Sequence, residues 1–293
     1  MDLLDTFLRG LAEQGFTKAE IRILDAERLL KQKIGKDSIS KFSKKYKINS
    51  GSVSAMLSGR RAIPITLLDE MPSEFICILH NCNVPIKIPK ELTKDLAYLV
   101  GLLRDGTINQ EKHGEYTCAF YSKNMNFLKV IKPKIEKLFG LNLTIEKFGD
   151  CYGVRVRSKT LYLFFKIVFD FICPQEKWNT PELIKIADDK IKRAYIGGFF
   201  DAEGGIPHLE SLKKPKRKNL YLKFVQKNKE SLIFIKDHLY SLGIESGKVY
   251  WSDNKNNLKI KMSSIKLCSH YIESLHPEKA NRLVMLNRLL AVL

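Results

Sequence analysis

The chain of 293 residues has no apolar run approaching the roughly 18 residues that a bilayer-spanning helix needs. Its first residues lack a secretory pattern, because Asp5, Arg9 and Glu13 interrupt the apolar positions there. The six cysteines (Cys77, Cys82, Cys118, Cys151, Cys173 and Cys268) keep no framework spacing, which argues against a disulfide scaffold and for reduced thiols. Cys77, His80 and Cys82 lie close together, but no second Cys/His pair stands downstream at finger-like spacing, so a structural zinc site is not expected. An initial nucleophile and a terminal His-Asn pair are also missing, so an intact self-splicing element is not expected. A soluble, cytoplasmic protein is the expectation.

Acidic residues are scarce too. Fifty Lys and Arg face 32 Asp and Glu, a net charge of +18. The first 90 residues carry 15 basic and 10 acidic side chains, which leaves +13 of the excess to the remainder. A bias of that size points to a polyanionic partner, most often nucleic acid. The length exceeds one typical domain, and 44% hydrophobic residues suffice for separate cores.

The most informative stretch runs from Lys192 to Ile206, apolar and rich in small residues until it ends in acids and glycines. Ala194, Gly197 and Gly198 fall within roughly one turn of a helix and remove the side chains that would hold a second helix away. Asp201 and Glu203 bring carboxylates to the helix end, and Gly204 and Gly205 release the chain into a strand. An imperfect copy stands at Leu96 to Ile108, with Arg104-Asp105-Gly106 near its end.

The segments downstream of the two copies repeat as well. After the first come strand-like Tyr116 to Lys123, helical Asn124 to Phe139, strand-like Leu143 to Phe148 and Tyr152 to Arg157, and helical Thr160 to Ile172. After the second come Leu220 to Lys227, Lys229 to Leu242, Lys248 to Ser252, Leu258 to Met262 and Ile265 to Leu275. Ser122-Lys123-Asn124 matches Gln226-Lys227-Asn228, and Pro174-Gln175-Glu176-Lys177 matches Pro277-Glu278-Lys279. The pattern is a domain-sized tandem duplication, α-β-β-α-β-β-α twice, over 91–189 and 190–293.

Basic residues concentrate where those strands fall. Lys213, Lys214, Lys216, Arg217 and Lys218 crowd the expected hairpin between the first two strands of the second repeat. Arg155 and Arg157 alternate along one strand, as Lys259 and Lys261 do at the matching place, which puts each pair on one sheet face and suggests a saddle for duplex DNA.

Residues 1–90 read as a different, all-α module with no strand-like alternation, helical around Leu4, Phe7, Leu8 and Leu11 and again around Ile21, Leu24, Leu29 and Leu30. Asp37-Ser38 offers a cap to Ile39 to Tyr46, and Asn49-Ser50 caps Val53 to Leu57, the outline of a helix-turn-helix. Ser50, Ser52 and Ser54 would approach the major groove, with Arg60 and Arg61 on phosphates; Pro85, Pro89 and their neighbours read as a linker. The stretch Ser50 to Pro64 resembles the recognition helix and adjoining loop of repressor-type domains.

The paired motifs resemble those of the LAGLIDADG homing endonucleases over residues 91–293. The resemblance implies an α+β fold of tandem pseudo-symmetric αββαββα repeats, here preceded by the all-α helix-turn-helix domain. It implies that Asp105 and Glu203, the last acid of each motif, hold Mg²⁺ (or Mn²⁺) above the scissile phosphates. It further implies that Gln226, with Ser122 as counterpart, orders water, and that Lys177 and Lys279 supply cations after the last helix of each unit. The first motif departs from the pattern, with three residues between Gly101 and Asp105 against four between Gly198 and Glu203. Aligned on its alanine and tyrosine, it presents Asp105 one step, about 100° of helix, early. The resemblance thus implies a monomeric, site-specific double-strand DNA endonuclease. The alternative is a catalytically inactive DNA-binding or transcription-regulatory relative, with RNA binding a third reading.

Overall fold

A computed structural model describes residues 2–79, 82, 84–110, 115–171, 174–213 and 219–291. In the first 90 residues the order is α1 (Leu3–Glu13), β1 (Ile21–Leu24), α2 (Glu27–Ile34), α3 (Ile39–Tyr46), α4 (Ser50–Leu57), β2 (Ile63–Pro64), β3 (Ile76–Leu79) and β4 (Ile86–Lys87). The α3–α4 pair forms where the caps lead: Ser38 Oγ accepts from Lys41 N at 3.2 Å and Asn49 Oδ1 from Gly51 N at 2.8 Å. Phe42, Val53 and Met56 close the small core beneath them.

This module is not all-α. Its strands pair antiparallel in the order β2-β1-β3-β4, with Ile21 opposite Leu79 and Ile23 opposite Cys77. Ile21 and Leu24 fit a helical spacing, but Ile21 and Ile23 are the pair that is buried, at the period of a strand. The partner strand lies more than fifty residues away, so no local pattern announces it. The expected linker is structural as well: Ile86 and Ile88 are buried, Ile88 N donates to Phe75 O at 2.8 Å, and Leu3 N donates to Lys90 O at 2.8 Å.

Beyond it come α5 (Lys94–Leu102), a 3₁₀ turn (Leu103–Asp105), β5 (Thr107–Gln110), β6 (Tyr116–Ser122), α6 (Met125–Phe139), β7 (Glu146–Phe148), β8 (Cys151–Arg157) and α7 (Lys159–Phe169). A 3₁₀ turn (Gln175–Lys177) and α8 (Glu182–Lys185) lead to α9 (Asp189–Glu203), β9 (Gly204–Gly205), α10 (Leu209–Lys213), β10 (Lys223–Gln226), α11 (Lys229–Ser241), β11 (Tyr250–Ser252), β12 (Lys255–Lys259), α12 (Ile265–Tyr271) and α13 (Pro277–Leu290). The two sheets share one strand order, β5-β6-β8-β7 and β9-β10-β12-β11. The echo at Asn124 and Asn228 has a physical basis, since both are N-caps: each side chain accepts from a backbone N–H of the next helix, Phe127 N at 3.1 Å and Ser231 N at 2.8 Å.

Two details differ from expectation. Helix α10 enters the connection read as a plain hairpin, and of its basic cluster Lys214, Lys216, Arg217 and Lys218 lie outside the described residues. Lys261 does not share a strand with Lys259. The ladder of β12 ends at Lys259, and Lys261 turns away to pair with Glu245 at 2.7 Å, because its backbone starts the 3₁₀ turn at 262–264.

The core is strongly aromatic. Phe164, Phe165, Phe169, Phe171 and Trp178 are buried together, with Phe171 stacked on Trp178 at 4.2 Å. Helix α1 joins this cluster, as Phe7 meets Phe164 edge-on at 5.8 Å, so the N-terminal module rests on α7.

Candidate active site

Helices α5 and α9 touch backbone to backbone. A Cβ placed on Gly101 would run into the Tyr195 carbonyl and lie 2.7 Å from Phe199 N; one on Gly198 would run into the Tyr98 carbonyl and lie 3.0 Å from Leu102 N. Gly197 serves a different neighbour, the Glu273 carbonyl 2.9 Å from its imagined Cβ. The crossing therefore depends on one glycine from each motif.

The short motif reaches the site through a change of helix type. After Leu102 the α-helix tightens to the 3₁₀ turn Leu103–Asp105. Each residue of such a turn advances about 2.0 Å and 120°, against about 1.5 Å and 100° in an α-helix. Three residues thus recover about 1.5 Å, the rise of one missing residue, and about 60° of its rotation. Asp105 and Glu203 end near enough that the Asp105 charge raises the pKa of Glu203, and the same two ammonium groups, Lys255 and Lys279, act on both carboxyls.

Burial is the first cause in each case. Asp105 is exposed, yet partial desolvation by the surrounding protein raises its pKa against the opposing pull of Lys279 and Lys255. Glu203, with its side chain 15% exposed, is raised by desolvation and then by Asp105, while Lys255 and Lys279 pull the other way. Lys255 Nζ lies 3.2 Å from Glu203 Oε2.

Asp201 has another duty. It is buried and accepts from Tyr98 OH of α5 at 2.5 Å, from Leu275 N at 2.7 Å, from His276 N at 3.1 Å and from Ser274 Oγ. It thus joins both motif helices to the turn before α13. From that turn Lys279 reaches back, donating to the carbonyls of Phe200 at 2.8 Å, Asp201 at 2.8 Å and Gly204 at 3.0 Å. Desolvation lowers its pKa to about 8. All three ammonium protons are committed to the last turn of α9, so Lys279 holds the helix end that carries Glu203.

The other candidates fall at different distances from this centre. Gln226 is buried at the end of β10, with its Oε1 accepting from Lys227 N at 2.7 Å, and Ser122 Oγ accepts from Asn124 N at 3.0 Å. Lys177 is exposed in the 3₁₀ turn 175–177 and is not among the cations acting on Asp105 or Glu203. Arg155 and Arg157 stand opposite Ala119 and Thr117, on the face away from buried Cys118, Phe120, Val154 and Val156. Lys259 stands opposite Lys223, on the face away from Phe224 and Leu258. Lys223 on β10 and Lys255 and Asn257 on β12 share that face and were missed, because strands of four and five residues show too little alternation. Lys213 pairs with Glu210 at 2.8 Å. In the N-terminal module Ser50, Ser54, Arg60 and Arg61 are exposed, while Ser52 Oγ accepts from Arg61 Nη1 at 2.8 Å.

Cys77 is buried and Cys82 half-buried, while His80 lies outside the described residues. Among the described residues no group of three or more His, Cys, Asp or Glu side chains is placed to hold a metal, and no helix is long and apolar enough to cross a membrane. At the crossing stands a pair of hard oxygen donors from two different helices.

Over 198 residues the chain is 31% identical to homing endonuclease I-ApeI of Aeropyrum pernix, a match covering 64% of this chain and 85% of that protein. The chain belongs to the LAGLIDADG homing endonuclease family. No protein-family model matches it. Among solved structures, the homing endonuclease I-DmoI in complex with DNA and Ca is similar at 24% identity and a TM-score of 0.49, over 64% of this chain and 93% of that one. I-WcaI, bound to its DNA recognition sequence, is similar at 19% identity and a TM-score of 0.48, over 66% and 88%.

Proposed function

We propose that this homing endonuclease is a monomeric, site-specific nuclease that hydrolyses both strands of a DNA duplex with Mg²⁺ (or Mn²⁺) held by Asp105 and Glu203. The observation that carries the reading is the convergence of those carboxyls from two glycine-packed helices onto one electrostatically coupled site. The donor set fits such an ion. Both groups are hard oxygen ligands, each raises the cost of the other's charge, and Mg²⁺ takes only one or two protein carboxylates, leaving phosphate and water to complete its shell. When bound, the ion would supply charge to the phosphate and a more acidic water. The reaction adds a water oxygen to phosphorus and breaks one P–O ester bond, with one water proton leaving and the departing oxygen gaining one. Asp201 and Lys279 keep the α9 carboxylate in place for it.

In this reading residues 1–90 are an accessory DNA-contacting module in which α4 presents Ser50, Ser52 and Ser54 and Arg60 and Arg61 meet phosphates. Residues 91–189 and 190–293 are the two LAGLIDADG repeats, each reading one half-site with its sheet. Arg155, Arg157 and Lys259 belong to the saddle so formed. Reversing Arg155 and Arg157 to Glu is expected to weaken binding to all sequences and to lower the salt slope of log K by about 2, since each phosphate contact contributes about 0.9. An unchanged slope in fluorescence-anisotropy titrations places the DNA elsewhere.

The decisive experiment selects a bound duplex from a random pool and incubates it with protein and Mg²⁺ or Mn²⁺. Cutting on both strands supports the nuclease; specific binding without cutting establishes the regulatory alternative. Asp105→Asn is expected to be as damaging to cutting as the matching change at Glu203, because the 3₁₀ turn delivers its carboxylate. A variant that still cuts both strands at the wild-type rate excludes Asp105 as a ligand.

A further inference from the structure

A phosphate about to be cut needs a cation that can reach it, and the sequence offered Lys279 and Lys177 for that duty. Neither suits it: Lys279 has spent its three protons on carbonyls of α9, and Lys177 is exposed and does not act on either carboxyl. Lys255 does. Its Nζ touches Glu203 Oε2 at 3.2 Å and its charge is also felt by Asp105, yet 42% of its side chain remains open to solvent. Glu203 is its one side-chain hydrogen-bond partner among the described residues, so two ammonium protons are uncommitted.

The backbone that carries Lys255 is tightly built. Asp253 and Asn254 both adopt left-handed conformations (φ 55° and 59°), making the sharp reversal between β11 and β12. Asn257 Nδ2 donates to the carbonyls of Ser252 and Lys255, each at 3.2 Å, and Asn256 Nδ2 donates to Lys227 O at 2.7 Å. A fixed stem with a free end is the arrangement a phosphate-seeking lysine requires. By strand register Lys255 opens β12 opposite Ser252, while Cys151 opens β8 opposite Phe148. The first half therefore has a thiol where the second has an ammonium.

We propose that Lys255 is a catalytic cation of the second half-site only: it neutralises Glu203 in the free protein, and transfers to the phosphate under attack when a divalent ion takes the Glu203 carboxylate. The inference rests on the nuclease reading. It makes the two DNA strands unequal, since one phosphate gains a lysine that the other lacks.

The test compares wild type, Lys255→Met and Lys255→Arg on supercoiled plasmid carrying the selected site, with Mg²⁺. Wild type is expected to linearise the plasmid. Lys255→Met is expected to slow one strand by about 10²-fold, as the loss of one preorganised charge does, so that nicked circles accumulate with one labelled strand intact; Lys255→Arg should restore most of the rate. Mn²⁺ titrated into the complex with this duplex, read by electron paramagnetic resonance, should bind more tightly to Lys255→Met, because the competing ammonium is gone. Wild-type rates on both strands in Lys255→Met, equal slowing of both, or unchanged Mn²⁺ affinity each overturn the proposal. A wild-type protein that cuts nothing removes the nuclease reading and the role of Lys255 with it.

Discussion

Glu203→Gln is expected to reduce strand cleavage at least about 10³-fold while DNA affinity stays within a few-fold of wild type, since in the proposed reading the change would remove a metal ligand but no phosphate contact. Gel-shift titrations in Ca²⁺ and cleavage time courses in Mg²⁺ measure the two effects separately. The same substitution should leave the fold more stable, not less, in metal-free buffer. Burial raises the folded pKa of Glu203 above its unfolded value. The folded state then binds the proton more readily than the unfolded chain, so stability is highest below the unfolded carboxyl pKa and is lost as pH rises through the folded one. Gln carries no such loss. Its melting temperature should exceed that of wild type near pH 7 in EDTA and converge with it below about pH 4. A variant that melts lower than wild type near pH 7 shows instead that Glu203 is held chiefly by its pairing with Lys255.

The recurring order of elements was legible because its signals are local: glycines spaced within one helical turn, asparagine caps at Asn124 and Asn228, and apolar periods in α6 and α11 that survive in any context. The placement of Asp105 and Glu203 at the ends of the crossing helical segments was legible for the same reason, each ending a motif. Three features were not. The sheet of the N-terminal module depends on β1 meeting β3 across more than fifty residues, and β1 alone is four residues long. The bonds of Lys279 to the end of α9 depend on where α13 starts relative to that helix, a matter of tertiary placement, so the sequence pattern does not announce them. Lys255 comes directly after the Asp253-Asn254 turn and resembles any surface lysine until the hairpin folds back toward Glu203. Lys261 shows the converse error, because two lysines at alternate positions imply one strand only if the ladder continues past the second.

The strongest structural expectation attaches to the smallest substitution. Gly198→Ala adds one methyl group where the Tyr98 carbonyl and Leu102 N already stand, and neither can move as a side chain would, since both are backbone of α5. Relief requires the two helices to separate, which also strains the Asp201 contact with Tyr98 and draws the Asp105 turn away from Glu203. Overpacking in a core costs about 1–3 kcal/mol, and a backbone obstacle puts this site at the upper end or beyond, so about 3 kcal/mol is expected. For a chain of this size that corresponds to a fall in melting temperature of roughly 6–12 °C. Gly247→Ala is the control, because its methyl would meet the Lys259 carbonyl at an ordinary 3.7 Å; it should stay within about 0.5 kcal/mol of wild type. Gly198→Ala should also lose cleavage at temperatures where it remains folded, since the carboxylates are positioned by the spacing of the helices that bear them. Melting within about 2 °C of wild type, with cleavage intact, would mean that α5 and α9 can slide apart without cost and that the glycine contact does not set the geometry of the site.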